Sequence, residues 1–242
     1  MTPLDEVDRY VRQHHHVRRS FVRAVLEGRH GGRRGLRRWA IQKFHQVYEQ
    51  NRVFSAIHAN CPFEDVRQFM VEQLIAEETG ITAGSASHYE LMRRFANAMG
   101  AAPEEIAASR PDPEVRRFVE FMLEMARNDA FVDGMLPIYI NESQAKDSAA
   151  ALYTYLHENL NVSEHDLEWF AVHGEVDHEH AARARALMQK YTASDAGFRD
   201  RAMRIAERAC AEWLLLHEHY AALLDDADND RHIQTAMAAA FG

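Results

Sequence analysis

The 242-residue sequence has little of several residue types, and each shortage narrows the possible class of protein. Its two cysteines, Cys61 and Cys210, cannot form a disulfide framework, which predicts a protein of the reducing cytoplasm. Only six prolines and eleven glycines, beside abundant Ala, Leu, Glu, Arg and Met, favour a mostly helical chain. No apolar run reaches the length of a membrane-spanning helix, and the first residues lack the pattern of a signal peptide. We therefore expect a soluble helical protein without a membrane partner.

The net charge of −9 is unevenly distributed along the chain. Residues 12–43, here called the Arg-rich segment, hold ten basic residues against one acid, Glu27, which leaves −18 for the rest. Such a segment could present an anion-binding surface to nucleic acid or to an acidic partner protein. The alternative is a set of arginines that are solvated or pack against the acidic remainder. Because the segment lacks a recognisable nucleic-acid-binding motif, we expect no nucleic-acid partner.

Helical periodicity extends over nearly the whole chain, and no strand pattern competes with it. It predicts one all-α domain over residues 1–242, a bundle of about seven to eight helices with its core in residues 4–224. The predicted helices cover about residues 4–28, 36–60, 62–79, 88–99, 113–128, 129–159, 163–191 and 194–224, with a short tail helix at 230–240. Gly134 and Pro137 are predicted bend points.

The segment 170–180 carries the most specific functional pattern. His173, Asp177 and His180 are spaced i, i+4 and i+7, so on one continuous helix they fall within about 60° of one another. Two imidazoles and a carboxylate on one face suit a redox-active divalent metal such as iron better than a structural zinc site. The chain is rich in histidine, however, so a chance arrangement is the alternative.

A dinuclear iron site needs about six histidine and carboxylate ligands from several helices. Glu142 ends an apolar run in the sixth predicted helix, Glu77 and Glu78 close the third, and His88 opens the fourth. A carboxylate at a helix C-terminus meets the negative end of the dipole, a conflict that a bound cation would relieve. Taken singly, Glu77 and Glu78 are more often solvated helix-end residues, and His88 is as often a surface histidine as a ligand. Glu142 alone could pair with an arginine. Candidate lining residues of a substrate pocket are Phe131, Met135, Tyr139, Trp169 and Phe170.

Four runs of sequence resemble a known superfamily. Residues 59–62, 74–80, 88–91 and 94–100 look like the front half of the haem-oxygenase-like helical proteins. They are most similar to the branch of pyrroloquinoline-quinone synthase and the non-haem diiron oxidases and oxygenases. The resemblance covers roughly residues 10–220. In diiron members the ligands are a Glu ending one helix, a His opening the next, a Glu on a central helix and a final His-x3-Asp/Glu-x2-His. The ligands implied here for two Fe(II) ions are Glu78, His88, Glu142, His173, Asp177 and His180, with Glu77 as the alternative to Glu78 and His178 as a bystander.

The resemblance also implies a function. Diiron members use O2 to oxidise small amino-acid-like or carboxylic-acid metabolites, by N-oxygenation, oxidative decarboxylation or C–C cleavage. It further implies a biosynthetic enzyme, commonly a homodimer, that uses O2 as co-substrate and an external electron donor. Some members make 4-aminobenzoate from one of their own tyrosines with help from a lysine downstream of the central Glu. Here that position holds Ala151-Leu152-Tyr153 and the nearest lysine is Lys146, which makes this reaction less expected.

Two other classes of function stay open. A metal-free oxidase or hydrolase on the same scaffold, similar to the quinone synthase or to thiaminase II, would use His, Tyr and Arg around an aromatic substrate, or a cysteine nucleophile. Cys61 and Cys210 both look structural, which weakens the thiaminase version. A non-catalytic helical binding protein would use the Arg-rich segment on an acidic partner, and would leave the His173 motif unexplained.

Overall fold

The computed structural model describes residues 1–14, 21–81, 84–175 and 177–241, with the side chains of 146–147, 174–180 and 225–241 left out. Within these ranges the chain forms α-helices joined by turns and loops, and no strand occurs. The all-α fold class predicted from the periodicity is confirmed. None of the helices in these ranges combines the length and the apolar character needed to cross a membrane.

Eleven helices are assigned in the described part of the chain. They are α1 (Pro3–Gln13), α2 (Phe21–Leu26), α3 (Gly32–Asn60), α4 (Glu64–Thr79), α5 (His88–Ala98), α6 (Pro103–Ala108), α7 (Pro113–Asn128), α8 (Phe131–Leu160), α9 (Glu168–Glu175), α10 (Asp177–Thr192) and α11 (Phe198–Phe241). Prolines open α1, α6 and α7, at the first turn where the missing N–H has no helical partner to lose.

Helix α3 is the central element of the bundle, since it packs against α4, α5, α7, α8 and α11. Its buried residues include Leu36, Trp39, Val53 and Ile57, which are almost completely excluded from solvent. Burying an aliphatic or aromatic side chain of this size stabilises a fold by about 1.5–3 kcal/mol. Helix α3 therefore anchors the core and fixes the positions of the helices around it.

Helices α7 and α8 approach each other closely at Gly134. A Cβ atom at this position would lie 2.9 Å from the Cα of Ala126 on α7, so a larger residue would push the helices apart. Helix α8 is assigned without interruption through Gly134 and Pro137, the two predicted bend points. The close contact holds α8, which carries Glu142, against the core.

The Arg-rich segment makes contacts within the chain. Arg33 donates hydrogen bonds to the carbonyl oxygens of Ala98 and Leu160, at 2.7 and 2.9 Å. Arg37 pairs with Glu105. These contacts favour the interpretation in which the arginines pack against the rest of the chain, and they weaken the case for a free anion-binding surface.

Two predicted helices correspond to pairs of helices. The predicted helix over 4–28 corresponds to α1 and α2, and residues 15–20 between them lie outside the described ranges. The predicted helix over 163–191 corresponds to α9 and α10, and Val176 between them lies outside those ranges too. One continuous helix through the His173 motif therefore stays a prediction.

One further prediction about the elements is wrong, and one helix was missed. Helix α11 is assigned as one helix to Phe241, so the chain has no separate tail helix at 230–240. The short helix α6 was not predicted, although Pro103 followed by two glutamates is a typical helix start. The count of seven to eight helices is low because of α6 and because of the two helices that are assigned as pairs.

Candidate metal centre

Three side chains with metal-binding chemistry meet where α4, α5 and α9 come together. Glu77 in the last turn of α4, His88 at the start of α5 and His173 on α9 offer ligand atoms that all lie within 4.8 Å of one another. His88 Nδ1 lies 2.7 Å from Glu77 Oε2, and the rings of His88 and His173 are 4.6 Å apart. The side chains of His88 and Glu77 are only 9% and 20% exposed. Two ligand atoms that each lie about 2.1 Å from the same ion, at an angle of about 90°, are about 3 Å apart. The distance between His88 Nδ1 and Glu77 Oε2 is close to this value.

The turn after α4 brings Glu77 and His88 together. Gly80 takes the left-handed conformation, with a φ of 66°, and its N–H caps the helix on the carbonyl oxygen of Ala76. The carbonyl oxygen of Gly80 then accepts a hydrogen bond from the N–H of Ser85 at 3.0 Å. A Cβ atom at Gly80 would overlap the backbone of Ala86. Only glycine satisfies both the positive φ and the close approach.

We predict that Gly80→Ala weakens the metal centre, because it strains the turn and pushes the start of α5 away. The expected loss of stability is about 1–3 kcal/mol, with iron binding weakened by tenfold or more. Urea denaturation and an Fe(II) titration measure the two effects. Gly84→Ala is the matched control, since Gly84 has a φ of 64° but open space around its Cβ position. Equal iron affinity in the two variants would contradict this role for Gly80.

The neighbours of His173 determine its tautomer and its charge. Its Nδ1 donates a hydrogen bond to the carbonyl oxygen of Trp169 at 2.7 Å, which leaves Nε2 with the lone pair. The indole of Trp169 lies tilted against the imidazole, with centroids 4.1 Å apart. Burial, and after it the nearby His88, lowers the pKa of His173 to about 3. The imidazole is therefore neutral throughout the physiological range, and this is the form that binds metals.

An ion pair fixes the helix that carries His173. Arg94 on α5 pairs with Glu168 in the first turn of α9. A carboxylate at a helix N-terminus also meets the positive end of the dipole. This pair joins α9 to α5, the helix that carries His88. It therefore holds the imidazoles of His88 and His173 close to each other.

Only some of the predicted ligands lie at this cluster. Glu78, the preferred residue at the end of α4, is exposed, while the alternative Glu77 faces His88 and His173. Successive residues of a helix point about 100° apart, so the two glutamates cannot occupy the same place. Glu142 lies half-buried on α8 and is not part of the described three-residue cluster. The side chains of Asp177, His178 and His180 lie outside the described residues.

A cavity lies beside the cluster, on the side of Trp169. Its volume is about 50 Å³, room for roughly three or four water molecules, and it is partly open to solvent. The lining comes from α2, α3, α8, α9 and α11 and consists of Phe21, Val22, Trp39, Lys43, Asn141, Ala145, Ser148, Ala149, Leu152, Trp169, Trp213, His217 and Tyr220. Of the lining residues expected from the sequence, only Trp169 is among them.

Sequence reasoning missed Lys43 and His217, which line this cavity. The chain has only three lysines among 28 basic residues, so a lysine on the mostly apolar centre of α3 was one available signal. The second signal was a repeated spacing. Trp213 and His217 are four residues apart, as are Trp169 and His173, and His217 Nδ1 lies 2.9 Å from the carbonyl oxygen of Trp213.

Comparison of the sequence with protein families shows which family it resembles. The family described as "iron-containing redox enzyme" matches residues 37–214, which include Glu77, His88, Glu142 and the whole His173 motif. This confirms the resemblance found in the sequence.

The chain is similar to proteins named 4-aminobenzoate synthase. The protein of that name from Nitrosomonas europaea is 30% identical over 233 residues, which cover 90% of this chain and 92% of the relative. The one from Chlamydia trachomatis is 26% identical over 197 residues, covering 81% and 83%.

Solved structures show the same fold. A domain with a heme oxygenase-like fold from Shewanella denitrificans superposes with a TM-score of 0.74 at 14% identity, covering 96% of this chain and 94% of that one. A TenA homologue from P. horikoshii gives 0.68 at 16% identity, covering 92% and 100%. Likeness at such identities shows the fold alone, and it confirms the haem-oxygenase-like bundle.

Proposed function

The chain belongs to the family of iron-containing redox enzymes, and on that premise we propose a diiron enzyme that uses O2 to oxidise a small amino or carboxylic acid. The observation that carries this proposal is the cluster of Glu77, His88 and His173, which brings three ligands from three helices to one partly buried place. Two imidazoles with a carboxylate form a mixed nitrogen and oxygen donor set that suits non-haem iron. Glu142, Asp177 and His180 are proposed to complete the set for a second ion.

The residues of the chain have separate tasks in this proposal. Iron, when bound, would supply the activation of O2. The carbonyl oxygen of Trp169 holds the proton on His173 Nδ1, so that Nε2 is the nitrogen left for an ion. The tilted rings of Trp169 and His88 lie against His173, with centroids 4.1 and 4.6 Å away, and shield part of it from water. Exclusion of water strengthens electrostatic interactions in the site and limits side reactions.

The name of the relatives makes 4-aminobenzoate the first product to test. The sequence argument against it was the absence of a lysine near residue 152. Leu152 lines the cavity beside the metal centre, and the same cavity contains Lys43 from α3. A lysine is therefore present in that cavity, although it comes from a different helix. This observation removes the objection and supports 4-aminobenzoate as the candidate product.

The proposal predicts two irons per chain. The purified protein is loaded with Fe(II) without oxygen, the iron is counted, O2 uptake is followed with an oxygen electrode, and products are analysed by mass spectrometry. We expect close to two ions per chain, O2 uptake only in the loaded protein, and loss of uptake with a chelator. Less than one iron per chain together with no O2 uptake would overturn the proposal. O2 uptake that survives a chelator would instead favour the metal-free oxidase.

The thiaminase-like alternative finds no support in the cysteines. Cys61 and Cys210 are both buried. Burial raises the pKa of both thiols, that of Cys210 to about 11. A catalytic cysteine needs a lowered pKa to supply its thiolate. Neither residue lines the cavity.

We also propose the partners and location that the resemblance implies. These are a small-molecule substrate, a homodimer, an external electron donor and the cytoplasm, with no nucleic-acid or membrane partner. The presence of two free cysteines agrees with a reducing compartment.

A further inference from the structure

The cavity beside the metal centre has an unusual lining. Five aromatic side chains form much of its wall, and all three tryptophans of the chain are among them. None of the described residues that line it is acidic. Flat aromatic walls favour a planar ligand, because rings gain from stacked and edge-to-face contacts. The one charged residue in this described lining is the cation Lys43, which favours the anionic end of a ligand.

Lys43 places a cationic group inside this aromatic wall. Its Nζ lies 5.1 Å from the ring centroid of Trp169 and 5.8 Å from that of Trp213, within reach of cation–π attraction. It donates one hydrogen bond, of 3.0 Å, to Gln46 Oε1, which also accepts from the hydroxyl of Tyr220. No ion pair recorded among the described residues includes Lys43. An ammonium group has three donors, so two of them are left for a ligand.

Two indole groups border the same cavity. The Nε1 atoms of Trp39 and Trp169 are buried and have no hydrogen-bond acceptor among the described residues. Both rings line the cavity that contains Lys43, but their nitrogen atoms are shielded even from a water-sized molecule. The ammonium of Lys43 is therefore the donor that a ligand in the cavity would meet.

We propose that Lys43 binds the carboxylate of a planar aromatic carboxylic acid in this cavity. The body of the ligand then lies among the aromatic side chains. Trp169 touches both Lys43 and His173, so the ligand is held next to the metal centre. This inference names the substrate class for the proposed function and in that respect rests on it.

Binding is tested with benzoate as the probe and benzamide as its neutral counterpart. Because all three tryptophans line the cavity, their fluorescence reports its occupation. The titrations use the full chain without metal, with chelator present, at pH 6.5. At this pH the amine is largely protonated, because burial lowers the pKa of Lys43 only to about 7. A failure of iron binding would leave this test intact, so the two proposals fail separately.

The expected result is a preference for benzoate that depends on Lys43. Benzoate should bind wild type at least about tenfold more tightly than benzamide, the usual gain from a charge-assisted hydrogen bond. Lys43→Met and Lys43→Gln should lose that preference, while Lys43→Arg should keep most of it. Lys190→Met is the matched control, since Lys190 pairs with Asp65 away from the cavity. Equal affinities in wild type, or an unchanged preference in both neutral variants, would overturn the proposal.

Discussion

Replacing His173 by alanine is expected to lower the iron content to at most one ion per chain and to abolish O2 uptake. The residue contributes the imidazole that connects the α4–α5 pair, Glu77 and His88, with α9. Its Nδ1 is held by the carbonyl oxygen of Trp169, so the ring presents Nε2 to an ion, and alanine removes that nitrogen. Loss of a metal ligand removes the ion and the chemistry that depends on it, and we expect a fall in activity of more than a hundredfold.

The control for this variant is His165→Ala, because His165 is an exposed histidine just before the same helix. It should keep full iron content and O2 uptake. Metal-free His173→Ala should remain folded, since His173 is only partly buried. Wild-type iron content in His173→Ala would show that the cluster is not the metal centre. An equal loss in both variants would point to a general effect of histidine number on iron uptake.

The helices next to the metal centre could be predicted from local signals. Helices α3, α4, α5 and α7 begin and end within a few residues of the predicted positions, since glycines and prolines mark their ends. The choice between Glu77 and Glu78 could not be made this way. Both end the same helix, and the direction of α4 relative to α5 decides which one turns inward. That direction depends on the left-handed turn at Gly80 and on packing, which a local pattern does not contain.

The cavity was harder to foresee than the metal cluster. Its residues come from positions as far apart as Phe21 and Tyr220, and no short motif joins them. Lys43 belongs to the Arg-rich segment, where a basic residue is expected to face solvent. Only the packing of α3 against α11 places its amine between Trp169 and Trp213. Long-range packing of this kind can override the local charge pattern.

Replacing Lys43 by methionine is expected to stabilise the metal-free protein. Burial lowers the pKa of Lys43 to about 7 from the usual 10.5, with Glu77 opposing part of the effect. Because the folded pKa lies below the unfolded pKa, the unfolded chain binds more protons between pH 7 and 10.5. Lys43 therefore destabilises the fold below pH 7, and this cost falls as the pH rises to 10.5. A pKa shift of this size corresponds to at most roughly 4–5 kcal/mol in the free energy of unfolding. We expect Lys43→Met to raise the free energy of unfolding below pH 7 by about 2–4 kcal/mol.

Urea denaturation of the metal-free protein at pH 6.5, 8 and 10.5 measures this effect. The gain in free energy of unfolding of Lys43→Met over wild type should be largest at pH 6.5, smaller at pH 8 and close to zero at pH 10.5. A difference in packing between the two side chains would add the same amount at every pH. Lys190→Met should not stabilise, since Asp65 raises the pKa of Lys190 and the exposed pair favours its charged form. Destabilisation by Lys43→Met at pH 6.5 would mean that the charge of Lys43 is paired in the fold.

A residue that weakens the fold is expected where function needs it, because stability and function often oppose each other in a binding site. Saturating benzoate should therefore stabilise wild type at pH 6.5 and leave Lys43→Met nearly unchanged.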